Sequence, residues 1–254
     1  MKFEKHFPSQ QLEPYIRFFV VSENTAAQTY KVFPTSALVM GFQYSGRLSS
    51  VNNNGESTLS RSGITGLSST YKVFRNSPNI GTILVYFTET GFAHFGSHPA
   101  HELFNLSVSL DYIFDRSRVM EVEEKLAIST TDKQRIRIVE HFLISQLTEI
   151  QHDKLVVEAV RLIYESKGGI RIKELNERLS ISQSPLEKRF RKVVGTTPKK
   201  FASIVRLNHV ITSLNKTKSL TEICYDNNFF DQAHFNRDFK QFTGETPENF
   251  KRLL

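Results

Sequence analysis

The sequence predicts an α+β protein, a β-rich first half followed by an all-helical second half, and three observations predict it. Short runs rich in β-branched and aromatic residues, bounded by turn residues, fill the first half. Helical periodicity takes over near Arg116 and continues towards the end. Near the C-terminus one pattern occurs twice, 49 residues apart: Leu186-x3-Phe190-x4-Gly195-x2-Pro198-x2-Phe201 and Phe235-x3-Phe239-x4-Gly244-x2-Pro247-x2-Phe250.

The strands come first. Ile16–Val21, Ala37–Phe42, Tyr71–Phe74 and Thr82–Phe87 are the apolar runs. Asn52-Asn-Asn-Gly55 between two of them is a strong hairpin signal. Several such strands close together predict a small barrel or sandwich. Phe18, Phe19, Phe42, Tyr44, Tyr86 and Phe87 are its aromatic residues, to be shared between core and an apolar effector pocket. The stretch from Glu89 to Asn105, broken by Gly and Pro, reads as a loop crossing or short helices.

Helices follow. Val119, Val122 and Leu126 mark a short amphipathic helix. Thr131 or Asp132 caps a longer one, striped by Ile136, Val139, Leu143, Leu147 and Ile150. That stripe is either a cover for the β half or a dimer seam. Beyond Asp153 the sequence predicts helices over 154–167, 171–179, 183–194, 198–215, 220–227, 232–243 and 247–253. Gly195 and Gly244 sit where a helix ends in a left-handed residue, and Pro198 and Pro247 follow a Thr N-cap, where a missing N–H costs nothing. The division that results is 1–115 β-rich, 116–152 a helical linker, and 153–254 the helical domain.

Charge follows the same division. Of 33 basic and 26 acidic side chains, 19 and 12 lie from Asp153 onward, leaving 14 of each before it. The whole excess of +7 therefore belongs to the segment with the repeat, which points to a polyanion. One cysteine, Cys224, excludes an intrachain disulfide and fits a reducing compartment. No apolar stretch approaches the ~18 residues of a membrane span, and the N-terminus lacks an apolar leader, so a cytoplasmic protein is expected.

Each copy of the repeat reads as a supporting helix, a tight turn and a second helix. In the first, Ile172, Leu175 and Leu179 support; Ser182 caps, and Ile181 with Leu186 forms a hydrophobic staple. In the second, Leu220 and Ile223 support, Asp231 caps, and Phe230 with Phe235 forms the staple. Leu186, Phe190, Val193 and Phe235, Phe239, Phe242 turn inward. Left outward near the helix starts are Gln183, Ser184, Glu187 and Lys188, and Gln232, Ala233, Asn236 and Arg237. Their chemistry suits base edges: Arg or Lys donate to guanine, Asn or Gln pair with adenine, and Glu accepts from cytosine. Arg191, Lys192 and Lys240, one turn on, suit phosphates.

Residues 153–254 resemble the DNA-binding domain of AraC/XylS-type transcriptional regulators. The resemblance rests on Arg189-Phe190-Arg191-x3-Gly195-x2-Pro198, on Arg206, and above all on Asp231-Gln-Ala-His-Phe-Asn-Arg-Asp-Phe-Lys240-x3-Gly244-x2-Pro247. It implies two helix-turn-helix units on a long connecting helix, entering major-groove segments ~34 Å apart, with base-reading positions at Ser184, Glu187, Lys188, Gln232, Asn236 and Arg237. Asn176, Cys224 and Asn228 depart from the family's usual Ala, Ala and Gly; Cys224 reads as core. The front half resembles the cupin-like sensor domain of one subgroup, through Val32-Phe-Pro-Thr35, Phe87-Thr-Glu-Thr-Gly91 and Pro99-Ala-His-Glu-Leu-Phe-Asn-Leu106.

The resemblance implies a sequence-specific regulator, an activator rather than a repressor, with promoter DNA, RNA polymerase, a small-molecule effector and a second copy of the chain as partners. The effector pocket would draw on Phe18, Phe42, Tyr44, Tyr86 and Phe87. His94, His98, His101 and Glu102 offer an enzyme alternative, a metal-dependent cupin fused to a DNA binder. A cupin site gathers ligands from facing strands, however, and these residues share one broken loop. A non-specific architectural DNA binder is the other alternative. No catalytic triad or Gly-rich phosphate loop stands out, so neither catalytic residue, metal nor cofactor is expected.

Overall fold

Strand formation follows the β-branched and aromatic runs, but extends beyond them. In the computed structural model, which describes residues 1–96, 98–148, 151–214, 219–227, 229 and 231–252, the front half holds β1 (Lys2–His6), β2 (Ile16–Asn24), β3 (Gln28–Val32), β4 (Val39–Ser45), β5 (Leu48–Asn52), β6 (Gly55–Thr58), β7 (Ser62–Thr65), β8 (Lys72–Asn76), β9 (Ile80–Phe87) and β10 (Ser107–Ser109). The four runs expected from the sequence correspond to β2, β4, β8 and β9. The others are short or polar: β3 and β6 are exposed throughout, and pairing rather than burial holds them.

These strands form two antiparallel sheets, not a closed barrel. The larger has the order β1-β2-β9-β4-β7-β10, the smaller β3-β8-β5-β6. Asn52 pairs with Gly55 across a two-residue turn, as the Asn-rich stretch predicts, and Gly55 takes φ 117°. Period-2 alternation sorts the larger sheet. On β9, Ile83, Val85 and Phe87 are fully buried on the helix-covered side. Thr82, Leu84 and Tyr86 face the opposite way, into a cavity between the sheets.

Two 3-10 turns, Gly91–His94 and Ala100–Leu103, fill the Gly/Pro-broken crossing, and a third covers Leu110–Tyr112. Helix α1 (Arg116–Ile128) is capped by Asp115, and α2 (Asp132–Gln146) by Thr131 in a capping box with Gln134. The α2 stripe packs within the chain: Ile136, Val139 and Leu143 are buried, and Phe142 meets Phe42 and Phe114 edge to face. It covers the sheet. Leu147 is the C-cap of α2, and Ile150 lies outside the described residues.

The second half is helical within a residue or two of the expected boundaries: α3 (Lys154–Glu165), α4 (Ile172–Arg178), α5 (Gln183–Val194), α6 (Pro198–Leu214), α7 (Leu220–Asp226), α8 (Gln232–Thr243) and α9 (Pro247–Arg252). Gly195 and Gly244 end α5 and α8 at φ 99° and 78°. Thr197 and Thr246 accept the backbone N–H of Lys200 and Asn249, capping the Pro-initiated helices. One hydrophobic cluster runs unbroken from Leu12 in the front half to Phe250 in α9, so the two halves share buried surface.

Candidate nucleic-acid interface

Each second helix of the repeat is anchored by its apolar side. Leu186, Phe190 and Val194 of α5 are fully buried, with Val193 partly so. Phe235, Phe239 and Phe242 do the same for α8, Phe235 packing on Phe239 and Phe229. Below them Leu175 and Ile223 of the supporting helices are fully buried. In the first turn Ser180 takes φ 49°, a left-handed conformation that non-glycine residues adopt rarely.

The caps differ between the copies. Asp231 accepts the backbone N–H of His234 at 2.6 Å, as expected. Ser182 occupies the N-cap position of α5 but makes no side-chain cap bond, a correction to the sequence reading; position alone gives a cap only when the hydroxyl rotates onto the helix N–H groups. The turn residues Asn228 and Phe230 lie outside the described residues. The departures from Ala are accommodated unequally. Cys224 is buried, its thiol pushed up by that burial, whereas the Asn176 side-chain oxygen is buried without a partner.

Anchoring the apolar side leaves the polar side to solvent. Gln183, Ser184 and Lys188 on α5 are exposed, Glu187 half so, and Gln232, Ala233, Asn236 and Arg237 on α8 are exposed. Gln183 donates to Glu187 at 2.8 Å, so these two side chains are already paired along the helix surface. Arg191, Lys192 and Lys240 are exposed one turn further on. Two polar stripes with a cationic tail thus face outward, one on each helix.

Arg189 has a role that spacing alone does not show. It grips Asp153 through Nε and Nη2, at 2.8 and 2.9 Å, while the same carboxylate caps α3. Helix α5 is thereby fixed to the start of α3. Helix α6, 17 residues long, separates the two units by roughly 25 Å at 1.5 Å per residue.

The front half holds a cavity of about 610 Å³ between its two sheets, within the ~300–1,000 Å³ range of small-molecule sites. Of the aromatics named from the sequence, Phe42 and Tyr86 border it, Phe42 with its ring turned to Phe142. The others do not. Phe18 stacks beside Tyr86 outside the lining. Tyr44 lies under Arg135 and donates to Glu23, and Phe87 packs on Phe92 and Phe95 on the helix side. Lys72, which the sequence does not mark, reaches into the cavity.

The loop histidines meet separate partners. His94 pairs with His152 at 3.2 Å, and His98 lies against Tyr112. Among the described residues the side chains close enough to share a cation are Glu4, His6 and Asp132, at the surface of β1 and α2. Among those residues, too, no helix is long and apolar enough to cross a membrane.

Known proteins match in the same two parts. Residues 175–253 match the family model described as a helix-turn-helix domain, and residues 4–109 match a domain of unknown function (DUF6597). The Msm operon regulatory protein of Streptococcus mutans is 29% identical over 145 residues, 56% of this chain and 52% of that protein. An uncharacterized HTH-type transcriptional regulator of Staphylococcus aureus is 33% identical over 81 residues, 32% of this chain and 11% of that protein. The chain thus spans about half of the first relative's length and far less of the second's. ToxT from Vibrio cholerae shares the two-part fold, with a TM-score of 0.51 at 12% identity, covering 100% of this chain and 99% of that one. Within residues 175–253, which match the helix-turn-helix model, the paired units, left-handed glycine stops and Thr-Pro restarts are all in place.

Proposed function

We propose that the chain is a sequence-specific DNA-binding transcription regulator, an activator whose front cavity takes a small-molecule effector. The observation that carries this reading is the pair of anchored helices, each presenting an uncovered polar stripe. Gln183, Ser184, Glu187 and Lys188 read one major-groove segment, and Gln232, Asn236 and Arg237 the next. Arg191, Lys192 and Lys240 hold phosphates and set register. For function the chain divides into sensor 1–115, linker 116–152 and reader 153–254. An activator also touches RNA polymerase, through surface that the DNA leaves free. Because the α2 stripe is spent on the sheet, a dimer would use another surface.

Titration of the purified chain against its own upstream region and a shuffled duplex, at one fixed salt concentration, tests the reading. Specific readout predicts a preference of ~10³-fold or more. Equal affinity would leave only the charge-driven alternative.

A further inference from the structure

The first strand lies against the start of α2. Period-2 alternation puts Lys2, Glu4 and His6 on one face of β1, an edge strand of the larger sheet. Asp132, the first residue of α2, meets that face and accepts from Lys2 Nζ at its Oδ2. Ser9, just beyond the strand, donates its N–H to Glu140 Oε1 at 2.7 Å, about two turns further along the helix. Strand and helix are therefore held together at both ends of their contact.

Glu4, His6 and Asp132 bring one metal-binding atom each to the same place, all within 4.8 Å of one another. His6 Nε2 lies 3.9 Å from Glu4 Oε2, closed off from solvent and without a hydrogen-bond partner. That condition costs free energy until something meets the nitrogen. A cation already sits beside it. The Lys2 ammonium is raised by its hydrogen bond to Asp132 and by the charges of Asp132, Glu23 and Glu4, against the opposing desolvation. The cradle selects positive charge, and the charge it holds is on a flexible stem that can turn out to solvent. Asp132 itself stays aimed. Arg135 donates to its other oxygen, Oδ1, at 3.0 Å, which leaves Oδ2 for whichever cation takes the place of Lys2.

We propose that Glu4, His6 and Asp132 bind a divalent transition-metal ion that displaces the Lys2 ammonium and clamps β1 to α2. One imidazole with two carboxylates suits zinc, manganese or ferrous iron. Calcium and magnesium take oxygen donors and gain little from the histidine. Donors ~2.0–2.2 Å from one ion stand roughly 3 Å apart, so the exposed Glu4 side chain turns inward by about 1–2 Å. The residues of this site belong neither to the reading helices nor to the cavity lining.

Calorimetric titration of the tag-free full chain, stripped of metal by a chelator, tests this with Zn²⁺, beside Mg²⁺ as the control. Wild type should take up one equivalent of Zn²⁺ and bind Mg²⁺ at least about a hundred-fold more weakly. His6→Ala should weaken Zn²⁺ binding by about ten-fold or more. The same substitution should remove the nitrogen donor's mark from the visible absorption of the Co²⁺-loaded chain. Lys2→Met keeps the apolar stem and removes the competing ammonium, so it should tighten Zn²⁺ binding about three- to ten-fold. A variant that failed to fold would not gain affinity. No uptake of Zn²⁺, full affinity retained in His6→Ala, or affinity unchanged or lowered in Lys2→Met would overturn the proposal.

Discussion

Phe33 and Phe250 meet edge to face with ring centroids 5.3 Å apart. Phe33 borders the front cavity, and Phe250 belongs to the helix that closes the second helix-turn-helix. Nearby, Lys31 pairs with Glu245 at 2.9 Å and lies over Tyr71, whose ring faces Gly244. The first unit is held as closely: Gly195 lies against Ala100, and Lys200 over Phe104. Cavity wall and second helix-turn-helix are therefore in direct contact, and under the proposed function a ligand that shifts one would displace the other.

Phe33→Ala should uncouple the two. Ligand and DNA should each still bind, while the change that ligand causes in DNA affinity, typically ~1–3 kcal/mol for such coupling, should shrink towards zero. Anisotropy titrations with and without ligand read the difference. Full coupling in the variant would place the communication elsewhere, for instance through Tyr164 of α3. That residue donates to Glu89 and shares a hydrogen bond with Ser36 at 2.8 Å, and burial, then Glu89, push its hydroxyl up to about 12.

Arg237 and Lys192 should fail in different ways. Arg237→Ala should cost ~1–3 kcal/mol on the preferred site and relax discrimination at one base position. Lys192→Ala should weaken every sequence alike and reduce the salt slope by about one unit. Binding measured across salt concentrations and single-base variants separates them. An Arg237→Ala loss equal on all sequences would move that residue to the phosphates.

Gly244→Ala should destabilise the chain by ~1–2 kcal/mol, the cost of a left-handed non-glycine residue. Its methyl group would also stand 2.6 Å from the Tyr71 ring. Tyr71→Ala in the same chain should recover only the steric share, read from urea midpoints. Complete recovery would mean that the backbone conformation contributes nothing.

Acid should loosen the junction of the two halves. Burial, then the neighbouring His152, lowers the His94 pKa below its ordinary 6.5. Below pH 6.5 the unfolded chain takes up a proton that the folded chain resists, so stability is complete above that value and falls as pH drops through it. His94→Gln should flatten this fall in denaturation midpoints taken between pH 5 and 8; an unchanged slope would assign it to other groups.

Much of this was legible in residue order, where local chemistry decides. The Gly stops, Thr-Pro restarts, Asp231 cap and Asn-Gly hairpin each depend on a few adjacent residues and appear where expected. The inward and outward faces of α5 and α8 followed from period, except that Val194 rather than the expected Val193 is the fully buried residue at the end of α5. Features that join distant segments did not. β3 and β6 are polar strands defined by their partners, and Lys72 is an ordinary lysine until β8 aims it between two sheets. Arg189 finds Asp153 36 residues away, and Phe33 finds Phe250 across the whole chain. The aromatic pocket was half legible: strand alternation assigns a side to each ring, but the side that helices cover is known only from the fold.

Selection of bound duplexes from a randomised pool tests the central claim most directly. Two reading helices predict two blocks of preferred bases with centres about one helical turn, ~10 base pairs, apart. Arg237→Ala should erode one block and Lys188→Ala the other. A single block, two blocks that both respond to either substitution, or no preference would contradict two independent readers on one chain.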